Sequence, residues 1–148
     1  MTDKSAFSEA DWETVLKGPT AAGLMVAASS RGGTFRESFA IAKAYTDARS
    51  SHGNSELLDA IVSARPKTER PHGHSFEEIK ADSLDHVNSA LGVVGRTATE
   101  EELAAYKVFI LEVSKRVAEA HKEDGQQVSE SEQAALDAVA DTVGLPHV

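Results

Sequence analysis

TEEELAAYKVFILEVSKRVAEAHK, running from Thr99 to Lys122, reads as one long amphipathic helix. Thr99 followed by Glu102 is a capping box, in which the threonine oxygen takes the amide of the third helical residue and the glutamate reaches back to the cap. Leu103 stands where a hydrophobic staple would pack. Leu103, Tyr106, Ile110, Val113, Val117 and Ala120 then recur at steps of three and four, which puts them on one side of a helix. Glu100 to Glu102 at the start and Lys115, Arg116 and Lys122 near the end match the charges of the helix dipole.

The same grammar extends in both directions. Gly125 breaks the long helix, Ser129 with Glu132 opens another, and Leu136, Val139 and Val143 form its stripe before Gly144 and Pro146 stop it. Upstream, Ser75 with Glu78 caps a helix that carries Phe76, Ile79, Leu84, Val87 and Leu91 and ends at Gly95. A short helix with Leu57, Leu58, Ile61 and Val62 closes before Pro66, and a longer one opens at Thr34 and Glu37 with Phe35, Phe39, Ala42 and Tyr45. Ser8 with Asp11 starts the first helix, which shows Trp12, Val15 and Leu16. Gly18-Pro19 should end or sharply kink it, because proline lacks an N–H and clashes with the preceding turn. Pro19 then fits the first turn of an Ala- and Gly-rich segment whose small side chains suit a central, buried helix.

No run of alternating β-branched residues competes with these stripes. The expectation is an all-α bundle of about seven helices, roughly 8–17, 20–29, 35–50, 55–64, 76–94, 100–122 and 130–143. Residues 66–75, PKTERPHGHS, form a loop inside a single domain spanning 1–148, since either half alone is small for a stable core.

The chain has 148 residues, 41% of them hydrophobic, and a formal net charge of -9. Residues 1–70 carry nine acids and nine bases, so the whole excess lies in residues 71–148, with fifteen acids and six bases. An acidic surface repels phosphate backbones, which argues against nucleic acid as a partner. A helix-turn-helix over 84–110 would set Glu100 to Glu102 against the phosphates. With no cysteine, disulfides, thiolate catalysis and Cys-based metal centres are excluded. The opening MTDKSAFSEADW has no signal-peptide pattern, and the longest apolar stretch, Ala21 to Ala28, is too short to cross a bilayer. These features point to a cytoplasmic protein without a membrane partner.

Chemistry-bearing motifs are few. There is no G-x-S-x-G and no P-loop, and no nucleophile or general base has a warranted partner, so an enzyme is the least supported class and no cofactor is implied. Placing Gly125 at the sixth position of an EF-hand puts Ala120 first, Lys122 third and Ser131 twelfth, and that motif fails. His72-Gly-His74 is the best local chelate, of a kind suited to zinc, copper or nickel, although a polar loop also acquires histidines without any metal. His86 pairs with Asp82 at a spacing unlike that of carboxylate-bridged bundle sites, and a hydrogen bond at the bundle edge accounts for it.

VAASSRGGTFRES at 26–38 and VAEAHKEDGQQVSESE at 117–132 share an order of helix end, glycine, cap and glutamate, and each feeds an apolar helix. This arrangement resembles the all-helical tellurite-resistance-type (TerB-like) domain, in which paired helices meet around acidic, glycine-containing turns. The later turn, Glu123-Asp124-Gly125 through Glu132, follows that pattern, whereas Ser30, Arg31 and Gly32 occupy the first turn where acids are expected. The resemblance implies a metal or stress-response role and, with the loop chelate, nominates His72, His74, Asp124 and Glu132 as metal ligands.

The remaining candidates are aromatic. Trp12, with Phe7 close by, either staples the first helix to the core or serves as an anchor for a protein partner. Tyr106, Phe109 and Ile110 crowd the long helix enough to suggest a face for a second subunit. The expected function is therefore protein binding or a structural role, with metal or small-ligand binding as the alternative.

Overall fold

A computed structural model describes residues 4–29, 43, 45–47, 56–64, 75–123 and 130–146. A short 3-10 turn, Lys4–Ala6, is followed by α1 (Glu9–Ala28), α2 (Glu56–Ser63), α3 (Phe76–Thr97), α4 (Glu100–Glu123) and α5 (Glu130–Val143). The fold is all-α, with no strand among the described residues. Among the described residues these are six helical elements, against about seven helices expected. Lys43 and residues 45–47 are also helical, but most of the helix expected at 35–50 lies outside the described residues, as does the expected loop apart from Ser75.

The main correction concerns residues 8–29, where two expected helices are one. α1 passes straight through Gly18 and Pro19. A proline inside a helix leaves the carbonyl four residues earlier without its donor, here that of Val15. The phenol of Tyr106, on α4, donates to that carbonyl oxygen at 2.5 Å. A tertiary contact thus replaces the missing backbone bond, and the helix continues. Thr20 Oγ donates to the Lys17 carbonyl at 3.1 Å, so this buried hydroxyl is also satisfied within the turn.

Local signals set the other helix ends. Ser8 Oγ accepts the amide of Asp11 at 3.1 Å, and Ser75 Oγ accepts that of Glu78 at 3.2 Å. At Thr99 the box is reciprocal: Oγ1 accepts the Glu102 amide at 3.1 Å, while Glu102 Oε1 accepts the Thr99 amide at 3.3 Å and its hydroxyl at 3.2 Å. α3 runs past Gly95, its expected end, to Thr97. It stops where Ala98 turns extended and gives its amide to the Val94 carbonyl at 2.8 Å. α5 ends in a left-handed Gly144, φ 77°, with Leu145 N–H donating to Ala140 O and Gly144 N–H to Asp141 O, a Schellman closure that glycine adopts without the penalty of a Cβ.

α1 is the centre of the assembly, packed chiefly on α3 and next on α4, while α5 rests on α4. Its second half, expected to be central, is buried: Ala22, Met25, Val26 and Ala27 have no exposure. The small side chains make the packing close. A Cβ on Gly18 would overlap the Tyr106 hydroxyl and come within 2.8 Å of Ala90 Cβ on α3. From α4 the core receives Tyr106, Phe109, Ile110, Val113 and Val117, and from α5 Leu136, Val139 and Val143.

Tyr106, Phe109 and Ile110 are therefore covered by this chain itself, not held out for a second subunit. Phe109 meets the ring of Tyr45 edge-on, with centroids 5.2 Å apart at 69°. Burial pushes both tyrosine hydroxyls well above their ordinary value near 10, and for Tyr106 the neighbouring Tyr45 adds to the effect. Tyr45 Oη has no hydrogen-bond partner among the described residues.

Candidate functional site

A groove of about 930 Å³ opens beside the first turns of α1. Phe7, Trp12 and Leu16 form one wall and Ala60 and Ala64 of the α2 region the other, with Lys4, Glu9 and Glu13 among the residues that line it. The Ser8 cap fixes where α1 begins and so sets Phe7 just before the helix and Trp12 one turn inside it. The two rings stand 5.6 Å apart at 43°, a tilted contact typical of stabilising aromatic pairs. Trp12 is only 6% exposed and belongs to the core cluster; Phe7 is half-buried and packs against that cluster.

The two readings of Trp12 thus meet in one place. Its ring braces α1 against the interior, and its accessible edge still lines the groove. Opposite it, alanines at 60 and 64 leave the space that larger side chains would fill. Carboxylates at Glu9 and Glu13, four residues apart, lie on one face of α1 and are exposed. The chemistry on offer is apolar contact with polar residues around it. The groove's polar lining is Lys4, Ser5, Ser8, Glu9 and Glu13, with no histidine among them.

A smaller hollow of about 250 Å³ lies on the outer face of α4, lined by Val108, Leu111, Glu112, Lys115, Arg116 and Glu119. Val108 is 52% exposed and is the one large exposed hydrophobic residue among those described. Arg116 donates to Asp47 at 2.8 Å and to Glu112 at 3.2 Å, so its fork is committed to tying residue 47 to α4. That hollow is a brace more than a receptor.

Of the four residues nominated for a metal, His72, His74 and Asp124 lie outside the described residues. Glu132 sits in the first turn of α5 and is buried, 2% exposed. No group of three or more His, Cys, Asp or Glu side chains placed to hold a metal ion occurs among the described residues. His86 meets Asp82 at 3.5 Å one turn away on α3, an exposed pairing at the bundle edge. No described helix is long and apolar enough to cross a membrane.

Phe7 and Trp12 could be read as a pair from the sequence, but Ala60 and Ala64 could not. Alanine is the commonest filler of a helix, and only the folded position of α2, which packs on α4, makes these two the far wall of a groove. No family model matches this chain, and neither does any curated protein or solved structure.

Proposed function

We propose that this chain is a protein-binding module that takes apolar side chains from one face of a partner's helix into the groove between α1 and α2. The observation that carries this reading is the groove itself: about 930 Å³ with Phe7, Trp12, Leu16, Ala60 and Ala64 on its walls. Its volume falls within the range of pockets that accept organic ligands, yet it is open along the side. An open apolar trough suits anchors spaced three and four residues apart on a helix, whereas a small metabolite would be left largely in water. Glu9 and Glu13 beside it favour a partner helix with basic residues flanking its apolar stripe.

Trp12 is the only tryptophan and reports on its own site. Titration of the chain with an amphipathic peptide bearing leucine anchors and lysine flanks should shift Trp12 emission with a Kd of order micromolar, about 8 kcal/mol of binding energy. Ala64→Phe fills the trough from the α2 side and should abolish that shift while leaving the far-ultraviolet circular dichroism intact. A peptide that binds the filled variant equally well would show that binding occurs elsewhere, and absence of any shift up to millimolar peptide would end the reading.

A further inference from the structure

Gly18 and Pro19 put two defects into one turn of α1, and both converge on Tyr106. Proline leaves the Val15 carbonyl without a helical donor, and the Tyr106 hydroxyl donates to that same oxygen at 2.5 Å. Gly18 supplies the room, since a methyl group there would overlap the hydroxyl. Without this contact α1 has a glycine, a proline and an unsatisfied buried carbonyl in succession, the combination at which helices bend.

We propose that α1 is hinged at Gly18–Pro19 and that the Tyr106 hydroxyl is the latch holding its two segments in line. The segment before the hinge carries Trp12 and Leu16, one wall of the groove, while the other wall belongs to the α2 region. Releasing the latch lets the first segment tilt, which changes the width of the trough. The hinge rests on the Gly18–Pro19 turn and its contact with Tyr106; only its use in admitting a partner rests on the proposed binding function.

The chain has no cysteine, so a single introduced thiol measures local opening without background. Val15 lies before the hinge with no exposure, and Val139, equally buried, lies far along the chain in α5. Thiol labelling of Val15→Cys should accelerate about tenfold when Tyr106→Phe is added, the effect of losing one hydrogen bond, while labelling of Val139→Cys changes much less. Adding Pro19→Ala, which restores a backbone N–H for Val15, should return the rate at position 15 toward its starting value. Equal acceleration at both positions would mean global destabilisation and overturn the latch, as would no change at position 15. If Val15→Cys does not fold, acrylamide quenching of Trp12 in Tyr106→Phe decides the matter: increased quenching well below the melting transition supports the hinge, and unchanged quenching overturns it. Ala64→Phe, which tests the groove, should leave thiol labelling at position 15 unaffected, so the hinge and the binding reading fail separately.

Discussion

Helices α1 and α4 pack against each other and are of similar length, 20 and 24 residues, yet their continuity has different origins. Everything that makes α4 a helix is contained within it. Its cap is a reciprocal box, its first turn is acidic, its buried apolar residues recur at helical spacing, and it has neither glycine nor proline. α1 has a cap too, but its middle contains the two residues least favourable to a helix. It is completed by a hydroxyl from α4 that lies 91 positions away in the chain. One helix is a local object; the other is completed by a contact that exists only in the folded protein.

The largest expected effect separates them directly. In the middle of a helix proline costs about 3 kcal/mol and glycine about 1 kcal/mol relative to alanine. A peptide covering 99–123 should therefore show appreciable helicity by circular dichroism in cool buffer, and one covering 8–29 very little. Substituting alanine at both 18 and 19 of the second peptide should close most of the gap. Equal helicity of the two unsubstituted peptides would break the distinction between a self-sufficient helix and a tertiary one.

This contrast also explains what could be read from the sequence. The periodicity of α4 and α5 and the cap of α4 are local, and both helices begin where the sequence reading put them, at Glu100 and Glu130; the expected Ser129 cap lies outside the described residues. The division of residues 8–29 into two helices followed from a sound rule about proline, and it failed because nothing near Pro19 announces Tyr106. Tyr106 itself looked like one more apolar residue on a stripe. Its ring does pack in the core, but the decisive group is its oxygen. In the groove the same division holds: Phe7 and Trp12 are large and adjacent, and so visible, whereas Ala60 and Ala64 matter through the space they leave empty. The proposed chelate of His72 and His74 lies beyond the described residues and is neither helped nor harmed.

A second prediction, of intermediate size, strikes the joint between the two helices by pH. The two tyrosines are the only ones in the chain, and burial raises the pKa of both. In the unfolded chain each ionises near pH 10, whereas in the folded core each stays neutral, so the folded state binds more protons in alkali. Their contribution is intact below pH 10 and is lost as pH rises above it. One unit above that value, the two together remove about 3 kcal/mol of stability, at about 1.4 kcal/mol per group per unit. Phenolate absorbance and loss of helical dichroism should therefore appear in a single cooperative step. Tyrosine titration before unfolding would show that one hydroxyl reaches solvent in the native state, and Tyr106→Phe would identify which.

The smallest effect returns to the caps, the one device the two helices share. Ser8 accepts a single amide at an exposed position, whereas Thr99 and Glu102 satisfy each other's groups at a partly buried one. Removing an N-cap hydroxyl generally costs about 0.5–2 kcal/mol, with the upper end reached when the freed donor is shielded from water. Thr99→Ala should therefore destabilise the protein by about 1.5 kcal/mol and Ser8→Ala by about 0.5 kcal/mol in urea denaturation. Thr99→Ser, which keeps the oxygen, should recover most of the first loss. If Ser8→Ala proves the costlier of the two, α1 depends on its own start more than on Tyr106, and the contrast between the helices narrows to the single turn at Gly18 and Pro19.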